Sequence, residues 1–304
     1  MVRLEDLQNK SELVHQYYSW LFDNNEITLE KSHDPSLIGA YRDTYIYYPS
    51  CMHDLFNTQS LRRLGRINHL GSMFSKYIGA YHTRLSHSIG VFGRKQEEHI
   101  YLWQQNPEFI KYIEDNGLKK FLIAEEIKML YHDVGHLPFS HITEQQIIGQ
   151  RGIHEEIGKE ILLNDDEVST AVSKLGITHE LRTVLEQNIL NSNEHDEGNI
   201  DVDRMDYLHR DAVHVGGPNF NRYPVYSRKI AKINPDGSYK KSAAGNIVLS
   251  DNLGDNSAFI DVYNCSDFSK IEEFLNGRET QYNNKYFHSS TLARDTILGL
   301  VLSK

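Results

Sequence analysis

Hydrophobic residues recur at helical spacing along most of the chain. Leu61, Leu64, Ile67 and Leu70, for example, fall on one face of a helix, since side chains three and four residues apart share a face. This pattern predicts a core helix over Gln59–Leu70 with its arginines on the outer side. The same spacing predicts further helices within residues 13–22, 92–103, 121–132, 144–148, 154–163, 181–190, 202–215, 266–276 and 281–302.

Strand-forming patterns occur in two places. Tyr41–Tyr48 is rich in β-forming aromatic residues and predicts a short strand that leads into the helical body. Arg228–Ile233 and Asn246–Leu249 flank the turn N-P-D-G, which predicts a small β-hairpin insertion near residues 228–262. Internal repeats and low-complexity linkers are not found. We therefore predict a mainly α-helical bundle over residues 51–304, preceded by an N-terminal extension over residues 1–50.

Composition narrows the classes of protein. The chain has 304 residues, 39% of them hydrophobic, which is enough for a large core. A net charge of −10 argues against nucleic acid as a partner, because phosphate binding needs clustered Lys and Arg. Apolar runs stay shorter than the roughly 18 residues of a membrane span, and the first residues lack a signal-peptide core. We expect no membrane partner.

Cysteine usage points to a reducing compartment. Cys51 and Cys265 lie far apart and lack the spacing of metal ligands. Such a pair is typical of a cytoplasmic protein, and we predict that location. The apolar helical pattern continues up to Lys304, which leaves open a further C-terminal region.

Three histidines and an aspartate crowd into the stretch Lys128–His141, K-M-L-Y-H-D-V-G-H-L-P-F-S-H. His132 and Asp133 are adjacent, and adjacent helical side chains point about 100° apart. They can share one target only where the helix ends or a metal draws both inward. Gly135 and Pro138 are predicted to supply that end and to bend the chain. Taken alone, such a pair is explained more simply by a helix terminus with surface histidines.

Other segments offer further ligands for a metal site. Such a site needs several nitrogen and oxygen ligands from separate segments. His87 lies three residues after Arg84, so both fall on one helical face. Asp203, Tyr207 and Asp211 line one stripe of a predicted helix, although a solvated face would explain that stripe equally well. The segments become informative when they are taken together.

The order His87, His132–Asp133, Asp203 resembles the pattern of the HD superfamily of metal-dependent phosphohydrolases. Four longer motifs point to one family within this superfamily, and they read H-T-R-L-S-H-S-I-G-V, H-D-V-G-H-L-P-F-S-H, G-I-H-E-E and I-D-V-D-R-M-D-Y-L-H-R-D. They are similar to motifs of the deoxynucleoside triphosphate (dNTP) triphosphohydrolases, above all the animal members that carry a sterile-alpha motif and their bacterial relatives. The similarity runs over about residues 55–300.

The resemblance implies metal-dependent hydrolysis of a dNTP at the α-phosphate, giving a deoxynucleoside and inorganic triphosphate. It implies that the metal ligands are His87, His132, Asp133 and Asp203. This mixed set suits manganese, iron, nickel or zinc, while magnesium would enter with the triphosphate. The residues that it places around the reacting phosphate are Arg84, His136, His141, Glu144 and His154. Arg84 would neutralise phosphate charge, and His141 would act as the general acid.

The resemblance also implies a set of substrate-binding residues, namely His69, Leu70, Arg204, Tyr207, Asp211, Arg278, Tyr282 and Tyr286. Tyr207 and Asp211 would hold the sugar 3′-hydroxyl. Arg204 and Arg278 would face the triphosphate. Leu70 would leave no room for a ribose 2′-hydroxyl, so the enzyme would prefer deoxynucleotides.

We call these substrate-binding residues, together with Phe287, the substrate wall. Three residues of this wall differ from those of the animal members. His69, Tyr282 and Phe287 stand where those members have glutamine, histidine and glutamine. Without the resemblance, the aromatic residues would be read as part of an ordinary core. These departures leave base choice and sugar selection open, but not the metal chemistry.

Two other functions keep the same motifs. One is a phosphatase or phosphodiesterase that acts on another nucleotide or on nucleic-acid ends, and it would need less positive charge than Arg204 and Arg278 supply. The other is a nucleotide-sensing module with an inert site, although the intact ligand set speaks against it. The resemblance to the dNTP triphosphohydrolases also implies a homo-oligomer.

Overall fold

The structure is a computed structural model that describes residues 10–33, 45–150, 152–186, 201–218, 220, 226–232, 234–235, 240–242, 249–250, 257–263 and 268–302. Its α-helices are α1 Lys10–Phe22, α2 His53–Asn57, α3 Gln59–Arg63, α4 Arg84–Gln105, α5 Pro107–Asp115, α6 Lys119–Tyr131, α7 His141–Thr143, α8 Ile153–Asn164, α9 Asp166–Leu175, α10 Thr178–Glu186, α11 Val202–Val215, α12 Phe268–Gln281 and α13 Ser289–Leu302. Short 3₁₀ turns lie at Ser50–Met52, Leu64–Arg66 and Gly71–Ser75, and π-turns at Glu144–Ile148 and Tyr282–Tyr286. The predicted mainly α-helical fold is confirmed.

The strands form two small antiparallel sheets. Strand β1, Leu29–His33, pairs with β2, Tyr45–Pro49. In the insertion, β3, Tyr226–Lys232, lies between β4, Leu249–Ser250, and β5, Ser257–Tyr263. The predicted hairpin is therefore present as β3 and β4, and β5 adds a third strand that the sequence did not predict. Residues 41–44 of the first predicted strand, Asp236 and Gly237 of the predicted turn, and residues 246–248 of the second predicted hairpin strand lie outside the described residues.

Helices α4 and α6 pack against each other at the centre of the main hydrophobic core. Phe92 on α4 and Ile123, Ile127 and Leu130 on α6 are all buried. Burial of each such side chain contributes roughly 1.5–3 kcal/mol. Helix α1 packs into the same core, while the predicted boundary at residue 50 stays a prediction.

A buried polar cluster joins α1 to the two central helices. His99 on α4 lies between two carboxylates of α6, with Nδ1 3.0 Å from Glu126 Oε1 and Nε2 3.1 Å from Glu125 Oε2. Tyr17 and Tyr18 of α1 each donate a hydrogen bond of 2.8 Å to Glu126. Burial lowers the pKa of His99, but the two carboxylates outweigh it and raise the pKa above its usual value.

Three helix ends meet on one side of this core. Helix α4, which begins after the N-cap Thr83, carries His87 in its first turns and packs against both α6 and α11. Helix α11 begins after Asp201, whose side chain accepts a hydrogen bond of 2.7 Å from the backbone N–H of Arg204. Helix α6 ends at Tyr131, directly before the His-Asp pair. Because helix ends carry unsatisfied backbone groups and diverging side chains, they suit a polar site.

The single helix predicted over Gln59–Leu70 is wrong. Helix α3 ends at Arg63, and the chain then runs beside the segment that leads into α4. Arg84 N–H donates to Ile67 C=O at 2.9 Å, and His69 N–H donates to His82 C=O at 3.0 Å. These backbone hydrogen bonds replace helical ones, so His69 lies beside the candidate site instead of on a helix face.

The bend after the His-Asp pair also differs from its prediction. Among the described residues of this stretch, the positive φ angles belong to Phe139 (62°) and Ser140 (52°), not to Gly135. Gly135 serves a different purpose, because a Cβ there would lie 2.0 Å from the carbonyl oxygen of His154. The glycine therefore lets the loop contact the start of α8 directly.

Candidate active site

Four side chains from three helix ends bring their polar atoms together. His87 Nε2 lies 2.9 Å from Asp203 Oδ1 and 3.2 Å from His132 Nε2. Asp133 completes the group, with Oδ2 3.7 Å from His87 Nε2 and Oδ1 3.6 Å from His132 Nε2. Ligands bound at about 2.0–2.2 Å around one metal ion lie roughly 3–3.6 Å from one another. Two imidazoles and two carboxylates at these separations can hold a divalent metal ion.

The hydrogen bonds behind the two histidines select the tautomer that a metal requires. His132 Nδ1 lies 2.8 Å from the backbone oxygen of Met129, which can only accept, so Nδ1 carries the hydrogen. His87 Nδ1 lies 2.8 Å from Asp206 Oδ2. Both histidines therefore direct Nε2 into the cluster, as metal-ligating histidines do.

The charges around this group attract a cation. Burial lowers the pKa of His87, but its hydrogen bonds to Asp203 and Asp206 outweigh this effect and raise the pKa to about 10. The carboxylates thus favour positive charge at this position, and a metal ion would displace the proton on Nε2. Burial would raise the pKa of Asp133, but Arg84 and His132 hold it well below its usual value. The side chain of Asp203 is 37% exposed, so the group opens to solvent on that side.

Arg84 borders this group of candidate metal ligands. Its side chain is buried, donating through Nη1 to Asp133 Oδ2 and through Nε to Ser140 Oγ at 2.8 Å. Ser140 was missed by sequence reasoning, because the positive φ that turns its hydroxyl toward Arg84 leaves no signal for a serine. The pair fixes one guanidinium beside the candidate metal ligands.

A second cluster surrounds Glu144, which is buried. Its Oε1 lies 2.7 Å from His154 Nδ1 and 3.3 Å from His136 Nδ1, and its Oε2 lies 3.0 Å from His141 Nδ1. The backbone N–H of Gly152 donates to Oε2 at 3.1 Å. Burial would raise the pKa of Glu144, but His136, His141 and this N–H outweigh it and hold the pKa well below its usual value. An ionised carboxylate therefore orients His141 and His154 by hydrogen bonds and lies beside His136, whose Nδ1 makes no hydrogen bond.

The three histidines differ in exposure. The side chain of His141 is 49% exposed, whereas His136 is buried. Burial, followed by the neighbouring His136, lowers the pKa of His154 to about 4, so this imidazole is neutral at pH 7. His136 Nε2 lies 3.3 Å from Asp133 Oδ1, which links this cluster to the metal-ligand group.

Arg63 holds the loop between the two clusters. It donates through Nη1 to the backbone oxygen of His136 at 2.8 Å and through Nη2 to that of Val134 at 2.5 Å. The sequence placed this arginine on the outer side of a helix, which is wrong, because α3 ends at Arg63 and turns the side chain toward the loop. Loop carbonyls carry no signal in the sequence, so this role could not be read from it.

The predicted sugar-binding residues lie next to these clusters. The ring of His69 is centred 4.3 Å from that of His87. Asp211 is buried and accepts from Tyr286 Oη, and its Oδ1 lies 2.7 Å from His82 Nε2. His82 was not predicted, because its partner lies on a helix far along the chain. Leu70 is partly buried at the start of the Gly71–Ser75 turn.

The remaining residues of the predicted wall contact one another. Tyr207 Oη and Tyr282 Oη are 2.9 Å apart, and the guanidinium of Arg278 lies 5.6 Å from the centre of the Tyr282 ring. Arg204 Nη1 lies 2.6 Å from Asp201 Oδ2. The aromatic residues of the wall therefore lie together, whereas the Arg204 guanidinium pairs with the carboxylate of Asp201. Phe287 is 59% exposed.

Comparison with known proteins identifies a family model and several relatives. The model described as "HD domain" matches residues 114–211. "Uncharacterized protein YwfO" of Bacillus subtilis is 27% identical over 83% of this chain and 51% of its own length. The "Deoxynucleoside triphosphate triphosphohydrolase SAMHD1 homolog" of Dictyostelium discoideum is 28% identical over 68% of this chain and 42% of its own length. The chain thus spans about half the length of these curated relatives.

A solved structure supports the fold. The crystal structure of a phosphohydrolase from Bacteroides thetaiotaomicron matches with a TM-score of 0.60 and 23% identity, covering 91% of this chain and 59% of that one.

The matched family model includes His132, Asp133 and Asp203, whereas His87 precedes it. Within the described ranges, helices long and apolar enough to cross a membrane are absent.

Proposed function

We propose that this chain, which contains an HD domain, is a metal-dependent phosphohydrolase that converts a dNTP to a deoxynucleoside and inorganic triphosphate. The observation that carries the proposal is the meeting of His87, His132, Asp133 and Asp203 beside the cluster around Glu144. One group is suited to a metal ion and the other to proton transfer and phosphate binding. Similarity to a deoxynucleoside triphosphate triphosphohydrolase adds support for the substrate class.

The metal ligands and Arg84 act on the α-phosphate. A divalent ion of manganese, iron, nickel or zinc supplies the activation of a water molecule as nucleophile, and magnesium accompanies the triphosphate. Arg84 is held by Asp133 and Ser140, so its guanidinium is oriented before the substrate binds. A metal ion on Asp133 would offset the charge of that carboxylate and leave the charge of Arg84 available to the phosphate. A fixed charge costs no reorganisation when negative charge develops on the phosphate.

His141 is the group that we assign as the general acid. Water adds to the α-phosphorus and releases a proton to solvent, the bond from phosphorus to the 5′-oxygen breaks, and that oxygen takes a proton from His141. Glu144 accepts from His141 Nδ1 at 3.0 Å, so a transferable proton must be carried by Nε2 of the doubly protonated ring. Burial lowers the pKa of His141, and the negative charge of a bound triphosphate would raise it again and load Nε2 with that proton. The exposure of His141 allows this nitrogen to reach a bound substrate.

His136 and His154 orient phosphate oxygens in this proposal. Glu144 lies 2.7 Å from His154 Nδ1 and sets the same tautomer there. Because a nearby phosphate favours the protonated form of an imidazole, triphosphate binding raises the pKa of His154 from about 4. The protonated Nε2 can then donate to a phosphate oxygen.

The substrate wall suggests how the sugar is held. We assign Tyr207 and Asp211 to the 3′-hydroxyl, with Leu70 and Tyr286 restricting the 2′ position and His69 beside them. Asp211 is held from two sides, by His82 and Tyr286. Each carboxylate oxygen has a further lone pair, which can accept from a sugar hydroxyl.

One observation favours a second candidate, a phosphatase or phosphodiesterase acting on a smaller phosphate group. Arg204, which we assign with Arg278 to the triphosphate, lies 2.6 Å from Asp201. A guanidinium held by a carboxylate offers less charge to a triphosphate than a free one. The aromatic residues Tyr282 and Tyr286 serve either substrate.

Product analysis separates the two. Metal-loaded protein is incubated with each dNTP and NTP, with nucleoside monophosphates and with phosphodiesters, and products are identified by ion-exchange chromatography. Deoxynucleoside and triphosphate in equal amounts support the proposal. Stepwise release of monophosphate, or turnover of diesters alone, supports the second candidate, and no turnover with manganese, iron, nickel or zinc contradicts both.

A further inference from the structure

An ion pair lies directly behind the candidate ligand His87. Asp206 and Arg210 sit one turn apart on α11, and both side chains are buried. Arg210 donates to Asp206 through Nε at 2.7 Å and through Nη2 at 2.9 Å. Asp206 Oδ2, which accepts from Arg210 Nε, also lies 2.8 Å from His87 Nδ1.

The pair occupies space that the fold keeps open with a glycine. Gly90 lies on α4 three residues after His87. A Cβ at Gly90 would lie 2.1 Å from Arg210 Nη2 and 2.2 Å from Asp206 Oδ1. The close approach of α4 and α11 at this point therefore depends on the missing side chain.

A buried ion pair with no other use is weak support for a fold. Removing two charges from water costs several kcal/mol, and apolar side chains of the same size are often as stable. The third partner, His87, gives this pair a use. Because the guanidinium fixes the carboxylate with two hydrogen bonds, the carboxylate fixes both the ring orientation and the tautomer of His87.

The other ligating histidine has a different support. His132 Nδ1 faces the backbone oxygen of Met129, a neutral acceptor within its own helix region. His87 instead faces a full negative charge, which increases the basicity of its Nε2. The two imidazoles therefore differ as metal ligands, and His87 Nε2 is the stronger electron-pair donor to the metal.

We propose that Asp206 and Arg210 are positioning residues that set the metal affinity of the site by orienting His87 and strengthening it as a ligand. The inference deepens the proposed function, since it rests on the same metal ligands. It does not depend on which nucleotide is hydrolysed. Both act through His87 and belong to neither the proposed metal ligands nor the proposed substrate-binding residues, so they are not catalytic residues.

Metal affinity of the full chain tests the proposal directly. Dissociation constants for Mn²⁺ and Co²⁺ are measured by titration calorimetry on apoprotein, with no nucleotide present. Asp206→Asn is expected to weaken binding about 10–100-fold, the usual effect of losing such a carboxylate. The visible spectrum of the Co²⁺ form, which reports its ligand geometry, is expected to change as well.

Gly90→Ala provides a second variant that leaves every polar side chain in place. The added methyl displaces the ion pair, and we expect metal affinity to fall about 10-fold or more. Gly93→Ala, one turn further along α4, is the matched control, because the atoms nearest to its Cβ, from 2.9 Å, belong to the apolar side chain of Ile46 and not to the ion pair. It is expected to keep the metal affinity and the Co²⁺ spectrum of the parent protein.

Several outcomes would overturn the inference. Unchanged metal affinity in folded Asp206→Asn is one, and equal weakening by Gly93→Ala and Gly90→Ala is another. If Asp206→Asn does not fold, Gly90→Ala and Arg210→Lys decide the matter by the same measurement. Metal binding that depends on Asp206 in a protein that hydrolyses no dNTP supports this inference while contradicting the proposed function.

Discussion

Gly135 and Gly158 form a matched pair that tests how closely the loop after His132 and Asp133 packs against α8. A Cβ at Gly135 would lie 2.0 Å from the carbonyl oxygen of His154 and 2.6 Å from the backbone nitrogen of Gly158. Ordinary contact begins near 3.4 Å, so the loop and α8 must separate by about 1 Å or more. Both obstacles are backbone atoms, which cannot move aside as a side chain can. Overpacking of this kind costs roughly 1–3 kcal/mol or more.

The same displacement affects catalysis. His154 and Glu144 are 2.7 Å apart across this contact, and a shift of about 1 Å in catalytic groups can cost about 100-fold in rate. Gly135→Ala is therefore expected to lower the free energy of unfolding by at least 1–3 kcal/mol and activity by about 100-fold. Urea unfolding at 25 °C gives the first quantity, and the chromatographic assay of dNTP hydrolysis gives the second.

Gly158→Ala is the control from the opposite side of the contact. Its Cβ would lie 3.5 Å from the backbone nitrogen of Gly135, which is ordinary contact. Since alanine favours a helix interior by about 0.5–1 kcal/mol over glycine, this variant is expected to be as stable as the parent or more so. The reasoning would be refuted if Gly135→Ala were as stable as the parent, or if Gly158→Ala lost as much stability.

Three further predictions concern charged groups. Asp203→Ala is expected to lose bound metal and hydrolysis together, and a variant with full activity would remove Asp203 from the ligand set. His141→Asn is expected to lower kcat by about 10²–10⁴-fold with a smaller change in KM, as for loss of a general acid; a pure KM effect would assign His141 to binding. The pKa of His99 is raised by Glu126 and Glu125, so its stabilisation is complete below about pH 6.5, the unfolded value, and is lost as pH rises through the folded value. Urea unfolding across pH 6–10 is expected to show a fall in stability that is smaller in His99→Gln, and equal slopes would contradict this.

Helical periodicity predicted most of the fold because it is a local property. Helix α11 runs from Val202 to Val215, as the pattern of Asp203, Tyr207 and Asp211 indicated. The pattern failed at Gln59–Leu70, where the apolar spacing continues but the backbone pairs with residues 82–84. A long-range backbone partner overrides local propensity, and it cannot be seen in a window of ten residues.

The candidate site shows the same division. The residues that the sequence marked by chemical type and order, His87, His132, Asp133 and Asp203, lie together in the structure. The groups that orient them were not recognised, although Asp206 and Arg210 stand at a spacing of i and i+4 that suits an ion pair. An i, i+4 pair is so common on helix surfaces that burial alone makes it informative.

The sequence by itself determined the helical class, the histidine and aspartate residues of the candidate site, and their order along the chain. The tertiary structure alone decided which atom of each side chain faces the site and what holds it there. The hydrogen bond that orients His87 joins residues 119 positions apart, and Arg63 reaches loop carbonyls 71 and 73 positions away. Such contacts depend on how helices pack, because ring nitrogens and carbonyl oxygens take whichever partner the packing brings within about 3 Å.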